Sequence, residues 1–124
     1  MNMHSIEIEV KTHFIASHSD ASSGEYTFAY TITITNRSET PVQLLKRAWK
    51  ITDADHKITR VAGDGVVGEQ PHIAPGESYS YTSGTVLATP IGTMEGFYTM
   101  VDSNGTAFDV EIPSFRLAIP NIIH

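Results

Sequence analysis

Tyr26-Thr27-Phe28-Ala29-Tyr30-Thr31-Ile32-Thr33-Ile34-Thr35 decides the fold class. Aromatic and aliphatic side chains occupy every even position, and Thr or Ala every odd one. Successive side chains of a strand point to opposite faces, so this alternation predicts a long strand with one apolar and one threonine-rich face. The same period of two recurs on both sides. Ile6, Ile8 and Val10 alternate with Glu7, Glu9 and Lys11. Leu45, Trp49 and Ile51 predict a third strand with Lys46 and Lys50 on its other face, although 42–50 also admits a turn of helix. Phe108, Val110 and Ile112 alternate with Ala107, Asp109 and Glu111. The segment 96–101 is apolar on both faces, which suits a central strand.

Turn chemistry separates these runs. Asn36-Arg37-Ser38-Glu39-Thr40-Pro41 closes the first strand quoted. In Ala74-Pro75-Gly76-Glu77, Pro presets φ and Gly is free to take φ > 0. Asp102-Ser103-Asn104-Gly105 carries Asn-Gly, the strongest short hairpin signal. Residues 17–24 read as a polar loop, and 63–77 as a long Gly/Pro-rich loop with too many apolar residues to be a linker. No long segment has convincing helical periodicity. The expectation is an all-β, two-sheet antiparallel sandwich with little or no helix. At 124 residues the chain is expected to form one domain, 1–124, with a core large enough to fold unaided.

Composition removes several function classes. The 14 Asp+Glu against 8 Lys+Arg argue against a nucleic-acid binder, which carries a basic patch or stripe. Without cysteine there is no disulfide and no thiolate metal site. The start has neither a basic nor an apolar leader region, and no run is long enough to span a bilayer. The expectation is a cytoplasmic protein that does not insert into membranes.

Gly63-Asp64-Gly65-Val66-Val67-Gly68 is formally G-x-G-x-x-G. Such a motif binds pyrophosphate when it follows a parallel strand and opens a helix whose N–H groups face the anion. Here Pro71 and Pro75 prevent that helix, and Asp64 and Glu69 repel phosphate. A backbone anion nest on Gly63, Gly65 and Gly68, assisted by Arg60 or Lys57, remains as an alternative. The plainer reading is a loop that needs φ > 0.

The six histidines, His4, His13, His18, His56, His72 and His124, show no metal-ligand spacing. Asp53-Ala54-Asp55-His56 reads as an Asx-type turn and not as a calcium loop. No metal or cofactor is expected. There is no G-x-S-x-G elbow and no cysteine nucleophile, so an enzyme is not expected. The aromatic residues Tyr79, Tyr81, Phe97, Tyr98 and Phe115 read as core. Val66, Val67 and Ile73 lie in the long loop, where apolar side chains must pack back or be presented to a partner. They are the candidate partner-binding residues. Val86, Leu87 and Ile91 raise the same question.

The glycine segment continues into Pro75-Gly76-Glu77, Tyr81-Thr82-Ser83-Gly84, Gly92-Thr93-Met94-Glu95-Gly96-Phe97-Tyr98 and Phe108-Asp109-Val110-Glu111-Ile112-Pro113-Ser114-Phe115-Arg116-Leu117. This longer string resembles the bacterial ApaG family over the whole chain. The resemblance implies a fibronectin type III/Ig-like sandwich, with packing around Trp49 in place of the Ig disulfide. It also implies a link to cobalt resistance and magnesium efflux, and a kinship with domains of eukaryotic F-box proteins and of a polymerase-interacting protein. The family takes its name from a gene neighbourhood shared with a dinucleoside-tetraphosphate hydrolase. Together, the residues and the resemblance point to a non-enzymatic protein-interaction module that affects cobalt and magnesium homeostasis indirectly. Its protein partner is unidentified, and a homodimer is compatible with this reading. The alternative is a small-anion or nucleotide sensor on the Gly63–Gly68 loop.

Overall fold

The computed structural model describes residues 5–120. The alternating segments are strands, and each hydrogen-bonds to its neighbours in antiparallel fashion. In chain order they are β1 (Ile6–Phe14), β2 (Tyr26–Asn36), β3 (Val42–Asp53), β4 (Ile58–Asp64), β5 (His72–Ile73), β6 (Ser78–Leu87), β7 (Ile91–Asp102) and β8 (Ala107–Ala118). Among the described residues helix is confined to two single 3₁₀ turns, Ala16–His18 and Ala21–Ser23. One sheet has the order β1-β2-β6; the other has β4-β3-β7-β8, with the short β5 also pairing β3. This is a fibronectin type III/Ig-like sandwich.

The strand that decided the fold sits in the middle of the smaller sheet. Its apolar face, Phe28, Tyr30, Ile32 and Ile34, is buried. On its other face Thr31, Thr33 and Thr35 pair hydroxyl to hydroxyl with Thr82, Ser80 and Ser78 of β6, each at 2.7 Å. Such cross-strand pairs stabilise a solvated face. The larger sheet contributes Leu44, Trp49, Met94, Tyr98, Met100, Ile112 and Leu117 to the core. Trp49 meets Tyr30, Phe115 and Tyr98 edge to face, with ring centroids 5.5, 5.9 and 6.5 Å apart. That geometry suits the ring quadrupoles and makes Trp49 a central packing residue.

β3 is one continuous strand, so its 42–50 segment holds no helical turn. It does not keep one phase, however. Its pairing with β7 shifts between Leu44 and Lys46, so Leu45 is an extra residue, a β-bulge. Val42 and Leu44 face the core before it; Trp49 faces the core after it. The bulge also places Arg47 in phase with Trp49, on the inner side. A second irregularity lies in β7 between Met94 and Gly96. A Cβ at Gly96 would collide with the carbonyl of Ala48, so only glycine lets β7 approach β3 there.

The segment 63–77 is more ordered than a free loop. β4 continues to Asp64, and β5 pairs His72 and Ile73 with Gln43 and Val42. Buried Asn36 donates its amide to the carbonyls of Thr40 and Ile73 and accepts from Ser38, closing the junction below it.

Candidate interaction surface

The glycine segment is a structural turn. Gly65 N–H donates to Leu45 O at 2.7 Å, and Val66 and Glu69 exchange backbone hydrogen bonds of 2.8 and 2.9 Å. The two residues between, Val67 and Gly68, have φ of 47° and 77°, the signature of a two-residue I′ hairpin turn. Gly65 has φ 64°, and a Cβ there would strike the Glu69 carbonyl. Arg47 clamps the segment by donating Nη1–H to Asp64 O and Gly65 O, at 2.9 and 3.0 Å.

These bonds match the plainer reading, a loop that needs φ > 0, and count against the alternative anion site. The N–H groups of Gly65 and Val66 face carbonyls, not a shared empty point. Arg60 pairs across from Lys50 and borders a different depression from Gly68. Lys57 belongs to the turn after β3, where Asp53 accepts the N–H groups of Asp55 and Lys57 in an Asx turn. So Gly63, Gly65, Gly68 and Arg60 do not converge. The cation beside the Gly68 hollow, about 300 Å³ between β3 and β6, is Arg47.

Two of the three expected partner-facing residues need a correction. Val66 and Ile73 are 0% and 1% exposed; the hairpin and β5 turn them into the core. Val67 at the turn tip is 61% exposed. On β6, Val86 is exposed while Leu87 is buried.

The outer face of the larger sheet offers a more extended surface. The strand register places Ala62, Ala48, Phe97 and Glu111 in one row across β4, β3, β7 and β8. On one side of it runs Arg60, Lys50, Glu95; on the other runs Asp64, Lys46, Thr99, Asp109. Phe97 is 43% exposed, although it stands mid-strand in the centre of the sheet. Ala48 and Ala62 beside it in the row have almost no side chain. Shallow depressions of about 450 and 370 Å³ therefore flank the ring. Lys46, Lys50 and Arg60 lie on the β3/β4 half, and Glu95, Asp109 and Glu111 on the β7/β8 half.

Known proteins share this chain's sequence and its fold. The ApaG domain family model (DUF525) matches residues 16–102. The chain belongs to the ApaG family. Protein ApaG of Citrobacter koseri is 54% identical over 117 residues, covering 94% of each chain. Protein ApaG of Salmonella arizonae has the same identity and coverage. The crystal structure of a Bordetella pertussis protein described as ApaA superposes with a TM-score of 0.93 at 45% identity, over 96% of this chain and 97% of that one. Another crystal structure, of a structural-genomics target, gives 0.92 at 50% identity over 97% and 91%.

This ApaG domain carries six histidines. His4 and His124 lie outside the described residues. Among the described residues no three His, Asp or Glu side chains come together in a metal-holding group. The carboxylates Glu7, Glu9, Asp109 and Glu111 are exposed, as alternation predicts. Sequence reasoning assigned Phe97 to the core and did not single out Arg47 or Ala48. A signal was available for Phe97: it has the opposite phase to Tyr98 and Met100, whose side chains fill the core.

Proposed function

We propose that this ApaG domain is a non-enzymatic protein-interaction module that docks through the outer face of its larger sheet. In this reading it acts in the cytoplasm and affects cobalt and magnesium balance indirectly, through the protein it binds. The observation that carries the reading is Phe97: a large apolar ring, 43% exposed, central on a broad face and set beside Ala48 and Ala62. Aromatic anchors ringed by polar residues are characteristic of binding surfaces. Val67 adds a second exposed apolar side chain, on a backbone held at positive φ. The small-anion sensor has less support, because two of the N–H groups it needs, those of Gly65 and Val66, are engaged by carbonyls.

The test is a photo-crosslinkable phenylalanine analogue at position 97 in living cells. A discrete cross-linked protein that Phe97→Ser no longer binds is the expected result. No product, or the same products from a probe at Thr82 on the opposite sheet, would overturn the reading.

A further inference from the structure

We propose that the occupant of this face is a second copy of the chain, packed face to face about a two-fold axis that runs along the strands between β3 and β7. The inference rests on the outer face being a docking surface and names what covers it.

Charge distribution is the first argument. The β3/β4 half carries Lys46, Lys50 and Arg60, and the β7/β8 half carries Glu95, Asp109 and Glu111. A two-fold contact is made by one patch with itself, so a bipolar patch is self-complementary if the axis exchanges its halves. An axis parallel to the strands does so: it lays β3 and β4 of one copy over β7 and β8 of the other. Lys50, the cross-strand partner of Glu95 within the chain, then faces Glu95 of the second copy. An axis across the strands would set lysine over lysine and glutamate over glutamate, so the charges choose between the two orientations. Among the described residues no ion pair joins Lys50 to Glu95 within the chain, which leaves both free for a contact in trans.

Shape is the second argument, and it is independent of charge. Ala48 and Phe97 are directly paired across β3 and β7. The same axis passes between them and so places Phe97 of each copy over Ala48 of the other. A ring thus meets a position with almost no side chain, twice. Ala62, the cross-strand partner of Ala48, extends the recess on the β4 side. One juxtaposition is adverse: Asp64 comes opposite Asp109 at the edge of the face. Lys46, next to Asp64 in the same row, lies within reach of both.

The test is sedimentation equilibrium of the full chain from low micromolar to near-millimolar concentration. A monomer–dimer equilibrium is expected. Lys50→Glu and Glu95→Lys are each expected to weaken self-association by about tenfold or more, the scale of a like-charge clash at an interface. Mixing the two variants is expected to produce a heterodimer, because every Lys50/Glu95 contact across the axis is then attractive. Phe97→Ser is expected to leave a monomer with an unchanged melting curve. A wild-type chain that stays monomeric throughout overturns the proposal; so does a dimer that survives Phe97→Ser, or charge variants that fail to pair on mixing. If the chain is monomeric but the probe at position 97 still captures another protein, the face is a docking surface with a different occupant. The interaction reading then stands and this inference falls.

Discussion

Tyr81 of β6 and Tyr98 of β7 meet hydroxyl to hydroxyl in the core and so tie one sheet to the other through a buried polar pair. Each phenol is the other's partner. Removing one hydroxyl therefore takes away its mate's hydrogen-bond partner. Tyr81→Phe and Tyr98→Phe should each cost about 1–3 kcal/mol, the penalty of an unsatisfied buried polar group. The double variant should cost less than the sum of the singles, because it strands nothing. Urea unfolding of all four proteins measures the coupling. Strict additivity would show that the pair does not act as a unit.

The same pair sets an alkaline limit. Burial is the main cause that raises both phenols well above their ordinary value of 10.0, and the Tyr81 charge adds to it for Tyr98. A raised folded pKa means the folded state holds the proton more tightly. The stabilisation is complete below pH 10 and is lost as pH rises toward the folded values. Stability should fall above that point by up to roughly 1.4 kcal/mol per pH unit for each phenol. The Tyr81→Phe/Tyr98→Phe double variant should show a shallower fall. Phenolate absorbance titrated beside circular dichroism checks this: the last two tyrosines should ionise only as the fold is lost.

Adjacent valines should behave in opposite ways. Val66→Asp places a charge in the core and should abolish folding. Val67→Asp should stay within about 0.5 kcal/mol of wild type, as for an exposed site. Val67→Asn should go further and stabilise by about 1 kcal/mol, since a β-branched residue at positive φ is strained and asparagine tolerates that region. Thermal melts separate the three. A loss of stability in Val67→Asn would mean that the valine side chain packs more tightly than its exposure indicates.

Gly96→Ala should be among the most damaging single-methyl changes available. The new Cβ meets the Ala48 carbonyl, a backbone atom that cannot rotate away. The loss should reach or exceed the top of the ~1–3 kcal/mol usual for overpacking. Gly105→Ala, also a glycine-to-alanine change but with open space around its Cβ position, is the comparison. It is penalised only through its φ of 81°.

What the sequence made legible were features written in local alternation. β2 reads correctly because ten successive residues keep one period, with no bulge to reset it. The Asn104-Gly105 turn reads correctly because its chemistry is contained in adjacent residues. β3 could not be phased in the same way: its period counts wrongly across Leu45, and nothing in the residue type of leucine announces a bulge. The segment 63–77 resembled a loop because its pairing partners, Val42 and Gln43, are distant in the chain. Phe97 was misplaced for a topological reason. A central strand is buried on both faces only if another layer covers each, and the second sheet covers just one side of β7. The glycine motif was legible as a loop needing φ > 0, because Pro71 and Pro75 exclude a phosphate-binding helix and Gly65 and Gly68 do take positive φ.

Leu45 has a consequence for how this domain can change in length. The extra residue does not pack like its neighbours, but its carbonyl receives both Gly65 N–H and the Gln70 side-chain amide. A strand one residue too long for its neighbour thus gives the adjacent hairpin its mooring. Loss of that single codon would leave Val42, Leu44 and Trp49 facing the core, because the remaining residues alternate without interruption. The hairpin, however, would lose that mooring and keep the Arg47 clamp. One deletion would therefore loosen the Val67 tip of a sandwich that is otherwise intact.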